Sequence, residues 1–375
     1  MLTPLQQAID LIQKSQKILI PLPENIDGDN LGCALALALA LGKLNKKTDI
    51  VSLEPIPEKL KFLPALDKIK NELTASRDFI ISIDTSENKI AKLRYETADK
   101  TLKIYLTTPA RVEQKDIKLE PGPFAYDLIV VLGAPDLESL GRLHEQNTEL
   151  FFDKPILNID HQAANEHFGE INLIEPTAAA DAEIIARLIE KIRPDLIDQE
   201  IATCLLTGLI AATRSFQNIN TTPQALNLAS LLISRGAAQE TIIQRLYKTK
   251  PLNSLRLWGR LLGKAELDEK QKTIWLPTAA DDFTATATTS QNLFFILEET
   301  EDYFPQINRL FILWPGDNGL IEVLAQIKQP EILQQLNLQF GGTAKNNRAL
   351  FKLSAPDMAQ AKEQIKRILE SSNIA

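Results

Sequence analysis

Short, uninterrupted apolar runs separated by segments of helical spacing constrain the fold of this chain more than any other feature. Such runs are typical of strands buried on both faces, and their alternation with helices indicates a mainly parallel α/β sheet flanked by helices. The predicted strands are Ile18–Ile20, Ile50–Leu53, Phe79–Ile83, Leu128–Leu132 and Ile156–Ile159. A helix is expected from Leu31 to about Leu44, with Asn30 as its N-cap.

A β-hairpin is predicted within this first half of the chain. Arg94–Glu96 and Leu102–Leu106 alternate in polarity on either side of a polar turn near Asp99 and Lys100.

The second half of the sequence is first helical and then mixed. The predicted helices before the charged turn at Leu267–Lys272 are Ala182–Ile192, Ile201–Ala212, Pro223–Arg235, Ala238–Tyr247 and Leu252–Leu262. Beyond that turn, strands are predicted at Thr273–Leu276, Leu310–Trp314, Leu320–Ile327 and Ala349–Leu353, and helices at Thr289–Thr300, Pro330–Leu336 and Met358–Leu369.

A length of 375 residues is more than one hydrophobic core usually serves. We therefore expect an α/β domain over 1–235, a helical connector over 236–266 and a smaller α+β domain over 267–375. The start of the sequence lacks the basic and apolar segments of a signal peptide, and the apolar run Cys33–Leu44 is shorter than the roughly 20 residues of a membrane span. The expected location is the cytoplasm, with no membrane association.

The formal net charge of −8 argues against strong non-specific binding to nucleic acid, because such binding depends on neutralising phosphates. Cys33 and Cys204 both lie in apolar helical patterns, which predicts two buried free thiols. A homodimer is a further expectation, although the sequence does not show the oligomeric state.

The loop after the first predicted strand carries two carboxylates, Asp27 and Asp29, separated by Gly28. In a parallel α/β sheet, ligands bind beyond the carboxyl ends of strands, so the two side chains could converge on one cation. The following helix N-terminus would also favour a phosphate. Spacing alone favours the simpler alternative, in which Asp29 or Asn30 only caps the helix.

A second polar cluster, Asn158 to Gln162, follows another buried strand and should reach the same sheet edge. His161 is a candidate metal ligand there, with Asp160 orienting its neighbours. The alternative is an ordinary surface histidine at a strand end.

Together these segments resemble the DHH phosphoesterases, a group that includes bacterial nanoRNases, RecJ-type exonucleases and exopolyphosphatase-like proteins. Residues 18–36 resemble the first motif of the family, 158–180 the third and 205–223 the fourth. Phe340, Gly341 and Gly342 resemble the Gly-rich motif of the associated C-terminal substrate domain. The resemblance implies a two-domain phosphoesterase fold and a site that holds two divalent cations, usually manganese.

Carrying the family's ligands over residue by residue leaves an incomplete metal site. Pro23, Gly133, Gln162 and Ala212 stand where the resemblance implies metal-binding side chains. Because two nearby cations need several shared anionic donors, we expect at most one ion, Mn²⁺, on Asp27, Asp29 and His161. In the C-terminal domain, Gly341, Gly342 and Lys345 are the candidate substrate-binding residues, and Lys345 replaces the family's histidine.

The position of the family's second-motif aspartate has an alternative. Asp84 also ends a predicted strand and is a further candidate ligand, although Gly133 is favoured by the segment that follows it, Pro135 to Gly141. With Gly133 in that position, the resemblance implies that the hairpin-containing stretch after Asp84 is an insertion. Solvated or capping roles are expected for Asp136 and Asp181.

Three functions follow from this reading. The favoured one is a catalytically impaired phosphoesterase that binds a short nucleotide between its domains, or a protein partner. The second is an active one-metal phosphoesterase that hydrolyses short oligonucleotides or adenosine bisphosphate. The third is a structural scaffold.

Overall fold

The computed structural model describes residues 2–73, 77–86, 89–98, 101–109, 112–248, 251–345 and 347–372. The chain divides into two compact units, Met1–Thr249 and Lys250–Ala375, each with its own hydrophobic core. The division lies within the segment 236–266 that the sequence suggested as a connector.

Unit 1 begins with alternating strands and helices and ends in a helical run. Its elements are α1 (Pro4–Lys14), β1 (Lys17–Pro21), α2 (Gly28–Lys43), β2 (Lys47–Val51), β3 (Ile69–Lys70), β4 (Arg77–Ile83), β5 (Lys92–Ala98), β6 (Thr101–Thr107), β7 (Ile117–Phe124), β8 (Leu128–Leu132), α3 (Arg142–Glu145), α4 (Thr148–Asp153), β9 (Ile156–Asp160), β10 (Ile171–Ile174), α5 (Asp181–Ile192), α6 (Gln199–Ala212), α7 (Pro223–Ser234) and α8 (Gln239–Ile243). A π-helical turn, Gln244–Lys248, follows α8.

Six of the strands form one sheet in the order β10-β9-β8-β1-β2-β3, and all of its pairs are parallel. β8 is buried at every residue, as its uninterrupted apolar sequence predicts. The parallel α/β sheet predicted from the apolar runs is confirmed.

Helix α2 is the central helix of this unit and is buried along most of its length. It packs closely on α6, since a Cβ at Gly32 would lie 2.5 Å from the Cys204 carbonyl oxygen. Cys33 and Cys204 are buried free thiols, as predicted. The predicted start of α2 was wrong: the helix begins at Gly28 and its N-cap is Asp27, not Asn30.

Residues 77–124, which include the insertion predicted after Asp84, form two separate antiparallel ribbons, β4–β7 and β5–β6. The predicted strand Phe79–Ile83 therefore exists, but it pairs with β7 and not with the six-stranded sheet. The predicted hairpin is confirmed, while its turn at Asp99 and Lys100 lies outside the described residues.

Unit 2 is a mixed sheet covered by helices. Its elements are α9 (Leu252–Leu262), β11 (Glu266–Asp268), β12 (Thr273–Pro277), α10 (Ala280–Thr286), α11 (Asn292–Tyr303), β13 (Arg309–Pro315), β14 (Leu320–Ile327), α12 (Pro330–Phe340), β15 (Thr343–Lys345), β16 (Arg348–Ser354) and α13 (Met358–Ser372). The strand order is β11-β12-β13-β14-β16-β15, and among the described pairs only β12–β13 is parallel. The predicted α+β domain is confirmed, whereas α10, β11 and β15 were not predicted.

Candidate metal centre

Three neighbouring strand ends define the candidate site. From β1 the chain continues to β2 and β3 on one side of the sheet, whereas β8 leads to β9 and β10 on the other. Parallel sheets bind ligands at such a switch in direction, beyond the carboxyl ends of the strands. Here Asp27 and Asp29 follow β1, Gly133 follows β8 and His161 follows β9.

Asp27 has a structural role at the start of α2. Its Oδ1 accepts hydrogen bonds from the amides of Asp29 and Asn30, at 2.8 and 2.9 Å, and Asn30 Oδ1 accepts from the Asp27 amide. This reciprocal arrangement is a capping box. These amides of the α2 N-terminus therefore donate to the protein's own carboxylate, which argues against the expected direct phosphate site there.

Asp29 caps a different helix. Its side chain is buried, and its two oxygens accept from the amides of Asp181, at 2.8 Å, and Ala182, at 3.1 Å, which open α5. The Cys33 thiol donates to Asp29 Oδ1 at 3.4 Å. A carboxylate at a helix N-terminus is stabilised by the free amides and by the helix dipole. The suggestion that Asp29 caps its own helix was wrong, because the helix that it caps is α5.

Asp181 was expected to have a solvated or capping role, but it is a buried member of the candidate site. It is 1% exposed, so the expected solvated role is excluded, and its Oδ1 accepts a 2.7 Å hydrogen bond from His161 Nδ1. Its position in the sequence could have identified it, because it is an acidic residue in the first turn of a helix directly after the third motif. Asp136, by contrast, has the capping role predicted for it, since its Oδ1 accepts from the amide and hydroxyl of Ser139.

The missing side chain at Gly133 explains why Asp181 fits. Gly133 has a φ of +61°, and a Cβ built there would lie 2.7 Å from Asp181 Oδ2. Any larger residue at this position would collide with that carboxylate. The Asp181 carboxylate thus occupies the space into which a side chain at position 133 would project.

Buried amides fix the segment that carries His161. Asp160 is fully buried and accepts from the Gln162 amide and from Asn165 Nδ2. Asn165 also accepts from Asn158 Nδ2 at 2.8 Å. This network fixes the backbone on either side of His161, and the orienting role of Asp160 toward a metal ligand stays a prediction.

The site carries more negative charge than its single histidine can balance. Burial, followed by the charges of Asp181 and Asp27, raises the pKa of Asp29. Burial also raises the pKa of Asp181, against the lowering effect of its hydrogen bond with His161. For His161, burial lowers the pKa, but the hydrogen bond and charge of Asp181 and the charges of Asp29 and Asp160 outweigh it, so the pKa is raised.

Asp27 stands at the solvent-facing side of this cluster. Its side chain is exposed, yet the dense protein around it desolvates the carboxylate and raises its pKa, against the lowering effect of its two amide hydrogen bonds. Contact with solvent limits that rise.

One group of residues in the described part of the chain could share a metal ion: Asp29, His161 and Asp181. One donor atom from each lies within 4.8 Å of the other two, a spread that a single divalent cation can bridge. Asp27 is not a member of this group. A two-ion cluster does not fit, because Pro23, Gly133 and Ala212 offer no side-chain donor and Gln162 offers an exposed amide.

The remaining candidate residues lie elsewhere in the fold. Asp84 follows β4, outside the six-stranded sheet, where it is exposed and accepts from the Ser86 amide. Gly341 ends α12, and a Cβ at Gly342 would lie 2.3 Å from the Leu350 carbonyl oxygen. The backbone structure therefore explains why glycine stands at both positions. The backbone of Lys345 lies in β15, and its side chain lies outside the described residues. Their role in binding substrate stays a prediction.

Comparison with known proteins places the first unit in a family. The pattern of the DHH family, N-terminal domain, matches residues 17–209, just over half of the chain. A bifunctional oligoribonuclease and PAP phosphatase of Thermus thermophilus, NrnA, is 35% identical over 107 residues, which is 28% of this chain and 32% of that protein. An uncharacterized protein of Mycoplasma pneumoniae is 30% identical over 114 residues, 30% of this chain and 34% of that protein. The chain thus matches about a third of the length of these relatives.

The fold as a whole resembles a solved structure. An exopolyphosphatase-related protein from Bacteroides fragilis superposes with a TM-score of 0.68 over 98% of this chain and 96% of that one, at 16% sequence identity. No helix of the described residues has the length and apolar character needed to cross a bilayer.

Proposed function

Because the chain belongs to the DHH family, we propose that it binds one divalent cation, Mn²⁺, on Asp29, His161 and Asp181, and through it a phosphate group of a short nucleotide. Hydrolysis of that nucleotide is expected to be much weaker than at a site with two cations. The observation that carries this proposal is the convergence of three donors from three separate elements at the switch of the sheet.

Electrostatics supports a cation at this position. Buried carboxylates that repel one another have raised pKa values, and a bound cation stabilises their ionised forms. The carboxylates Asp181, Asp29 and Asp160 raise the pKa of His161, which is one positive side chain beside three acidic ones. A divalent cation would displace the proton of His161 on binding, and its two positive charges would offset more of the carboxylate charge than that proton does.

The same geometry argues against direct phosphate binding. The first amides of α2 donate to Asp27, and those of α5 donate to Asp29. A phosphate would meet carboxylates at both helix N-termini, so it needs a cation as an intermediary.

A second candidate function is hydrolysis with one ion. A bound divalent cation polarises a phosphoryl oxygen and lowers the pKa of its water. The chain's own contribution would be the three donors that hold the ion, Asp29, His161 and Asp181. The activity for which the Thermus thermophilus relative is named, on oligoribonucleotides and PAP, identifies the substrates to assay.

The test of the proposal is a calorimetric titration of the full chain with Mn²⁺. We expect one ion per chain, and at least about 100-fold weaker binding in Asp181→Ala, since a direct donor is lost. Asp136→Ala is the matched control, because Asp136 is a capping carboxylate outside the group, and its affinity should equal that of the wild type. Two ions per chain would contradict the proposal, and no binding would favour the scaffold.

A carboxylate swap tests whether Asp181 fills the space beside Gly133. Gly133→Asp alone should lose Mn²⁺ binding, because its Cβ would meet Asp181 Oδ2. Gly133→Asp combined with Asp181→Gly removes the collision and returns a carboxylate to the same space, so binding should recover in part. Equal loss in the single and double variants would contradict this relation.

An assay with short RNA oligonucleotides and adenosine bisphosphate, with and without Mn²⁺, separates the two candidate functions. Turnover that depends on Mn²⁺ and disappears in Asp181→Ala would establish the hydrolase. Mn²⁺ binding with undetectable turnover would support the impaired protein.

A further inference from the structure

The segment between β3 and β8 contributes no residue to the candidate metal site. Its two ribbons are strongly amphipathic. We call residues 77–124 the arm. In the β4–β7 ribbon, Phe79 lies opposite Pro121, Ile81 opposite Leu119 and Ile83 opposite Ile117. Because cross-strand partners share a face, one face of this ribbon is entirely apolar.

The opposite face of the same ribbon is mainly polar. Ile80 lies opposite Glu120, and Ser82 opposite Lys118. The β5–β6 ribbon repeats the pattern: Leu93–Leu106, Tyr95–Ile104 and Thr97–Leu102 share one face, and the intervening pairs carry Lys92, Arg94, Glu96 and Lys103. Both ribbons thus have the pattern of strands whose apolar face is covered.

In the described structure of this single chain, those faces are open. Eight of their apolar side chains are 39 to 73% exposed: Phe79, Ile81, Leu93, Tyr95, Leu102, Ile104, Ile117 and Leu119. Two-stranded ribbons are only marginally stable in water without a packed face. Apolar surface of this extent marks an interaction site.

The charge of the arm indicates what covers it. The arm has nine Lys and Arg against eight Asp and Glu, whereas the whole chain has a net charge of −8. A nearly neutral surface with both signs interspersed does not favour nucleic acid or an anionic membrane. A second copy of this acidic chain can, however, approach such a surface without strong charge repulsion.

The apolar area of the two ribbons together approaches that of a dimer interface. At their exposed fractions, the eight side chains present on the order of 600 Å² of apolar surface in total, about half of it on each ribbon. A stable interface buries about 800 Å² on each partner, including its polar rim. Two identical apolar faces can stack as packed sheets do, which gives a closed, symmetric contact.

We infer that the arm is a self-association surface, through which two copies of this chain pack the apolar faces of their ribbons together. This inference is independent of the metal site. The arm then acts as a dimerisation element inserted into the α/β unit.

Sedimentation velocity and light scattering of the full chain at micromolar concentration test the inference. The wild type should have the mass of two chains. Leu119→Asp, which places a charge on the apolar face, should weaken the dimer at least about tenfold and give a single-chain mass at the same concentration. Ile80→Asp is the matched control, since Ile80 lies on the opposite face of the same ribbon, and it should remain dimeric.

Far-UV circular dichroism checks that both variants fold, and Phe79→Asp replaces Leu119→Asp if the latter does not. A wild type that stays a single chain would overturn the inference. A folded Leu119→Asp that remains dimeric, or an Ile80→Asp that dissociates equally, would also overturn it.

Discussion

Two buried carboxylates, one in each unit, show how different surroundings give the same side chain different roles. In unit 2, Asp282 is fully buried and accepts hydrogen bonds from Arg260, from Lys264 and from the Ala279 amide. In unit 1, Asp181 is equally buried but shares one histidine with Asp29 and Asp160. Cations outnumber carboxylates in the first cluster, and carboxylates outnumber cations in the second.

The pKa values move in opposite directions as a result. Burial opposes ionisation of Asp282, but the hydrogen bonds from Lys264, the Ala279 amide and Arg260 outweigh it and lower its pKa. Burial raises the pKa of Asp181, and His161 does not reverse the rise. A satisfied carboxylate of the first kind stabilises the fold, whereas an unbalanced one of the second kind marks a ligand site.

The largest expected change in unfolding free energy is caused by Asp282→Asn. The amide cannot accept all of the bonds that the carboxylate accepts, so unit 2 should lose about 2 kcal/mol of unfolding free energy, moderated because Arg260 and Lys264 are half exposed. All three tryptophans, Trp258, Trp275 and Trp314, belong to unit 2, so tryptophan fluorescence in urea reports its unfolding. Asp281→Asn, at an exposed neighbour, is the control and should unfold like the wild type.

A smaller effect of the opposite sign is expected for Asp181→Asn without metal. The amide oxygen still accepts from His161, and the burial cost and the repulsion from Asp160 and Asp27 that raise the pKa of Asp181 are relieved, so unfolding free energy should rise by about 0.5 to 1 kcal/mol. Circular dichroism in urea and a chelator measures it. Destabilisation as large as that of Asp282→Asn would remove the distinction between the two clusters.

The smallest effect is a pH dependence that also differs in sign. Asp181 has a raised folded pKa, so its stabilising contribution is present below the ordinary value of 3.8 and is lost as pH rises through the folded pKa. Asp282 has a lowered folded pKa, so its contribution is present above 3.8 and is lost as pH falls through the folded pKa. Each slope should stay below about 1.4 kcal/mol per pH unit.

Urea unfolding of the wild type and both Asn variants between pH 3 and pH 8 separates these slopes. The stabilising effect of Asp181→Asn should grow toward neutral pH, and the cost of Asp282→Asn should shrink in acid. Parallel profiles for the two variants would contradict the assignment.

The sequence by itself determined the sheet and most helices, because apolar runs and helical periodicity report local burial. The boundaries of α9 and β14 were predicted to the residue, Leu252–Leu262 and Leu320–Ile327. It also indicated Asp29 and His161, since both follow buried strands of a parallel sheet.

Only the tertiary structure decided which side chains converge there. Asp181 lies 152 residues from Asp29 and 20 from His161, and it enters the site because Gly133 leaves space for its carboxylate. Asp27 has an equally suggestive sequence position but caps α2. Whether side chains converge depends on the order of the strands and on the space that residues distant in sequence leave free. Local sequence patterns contain neither kind of information.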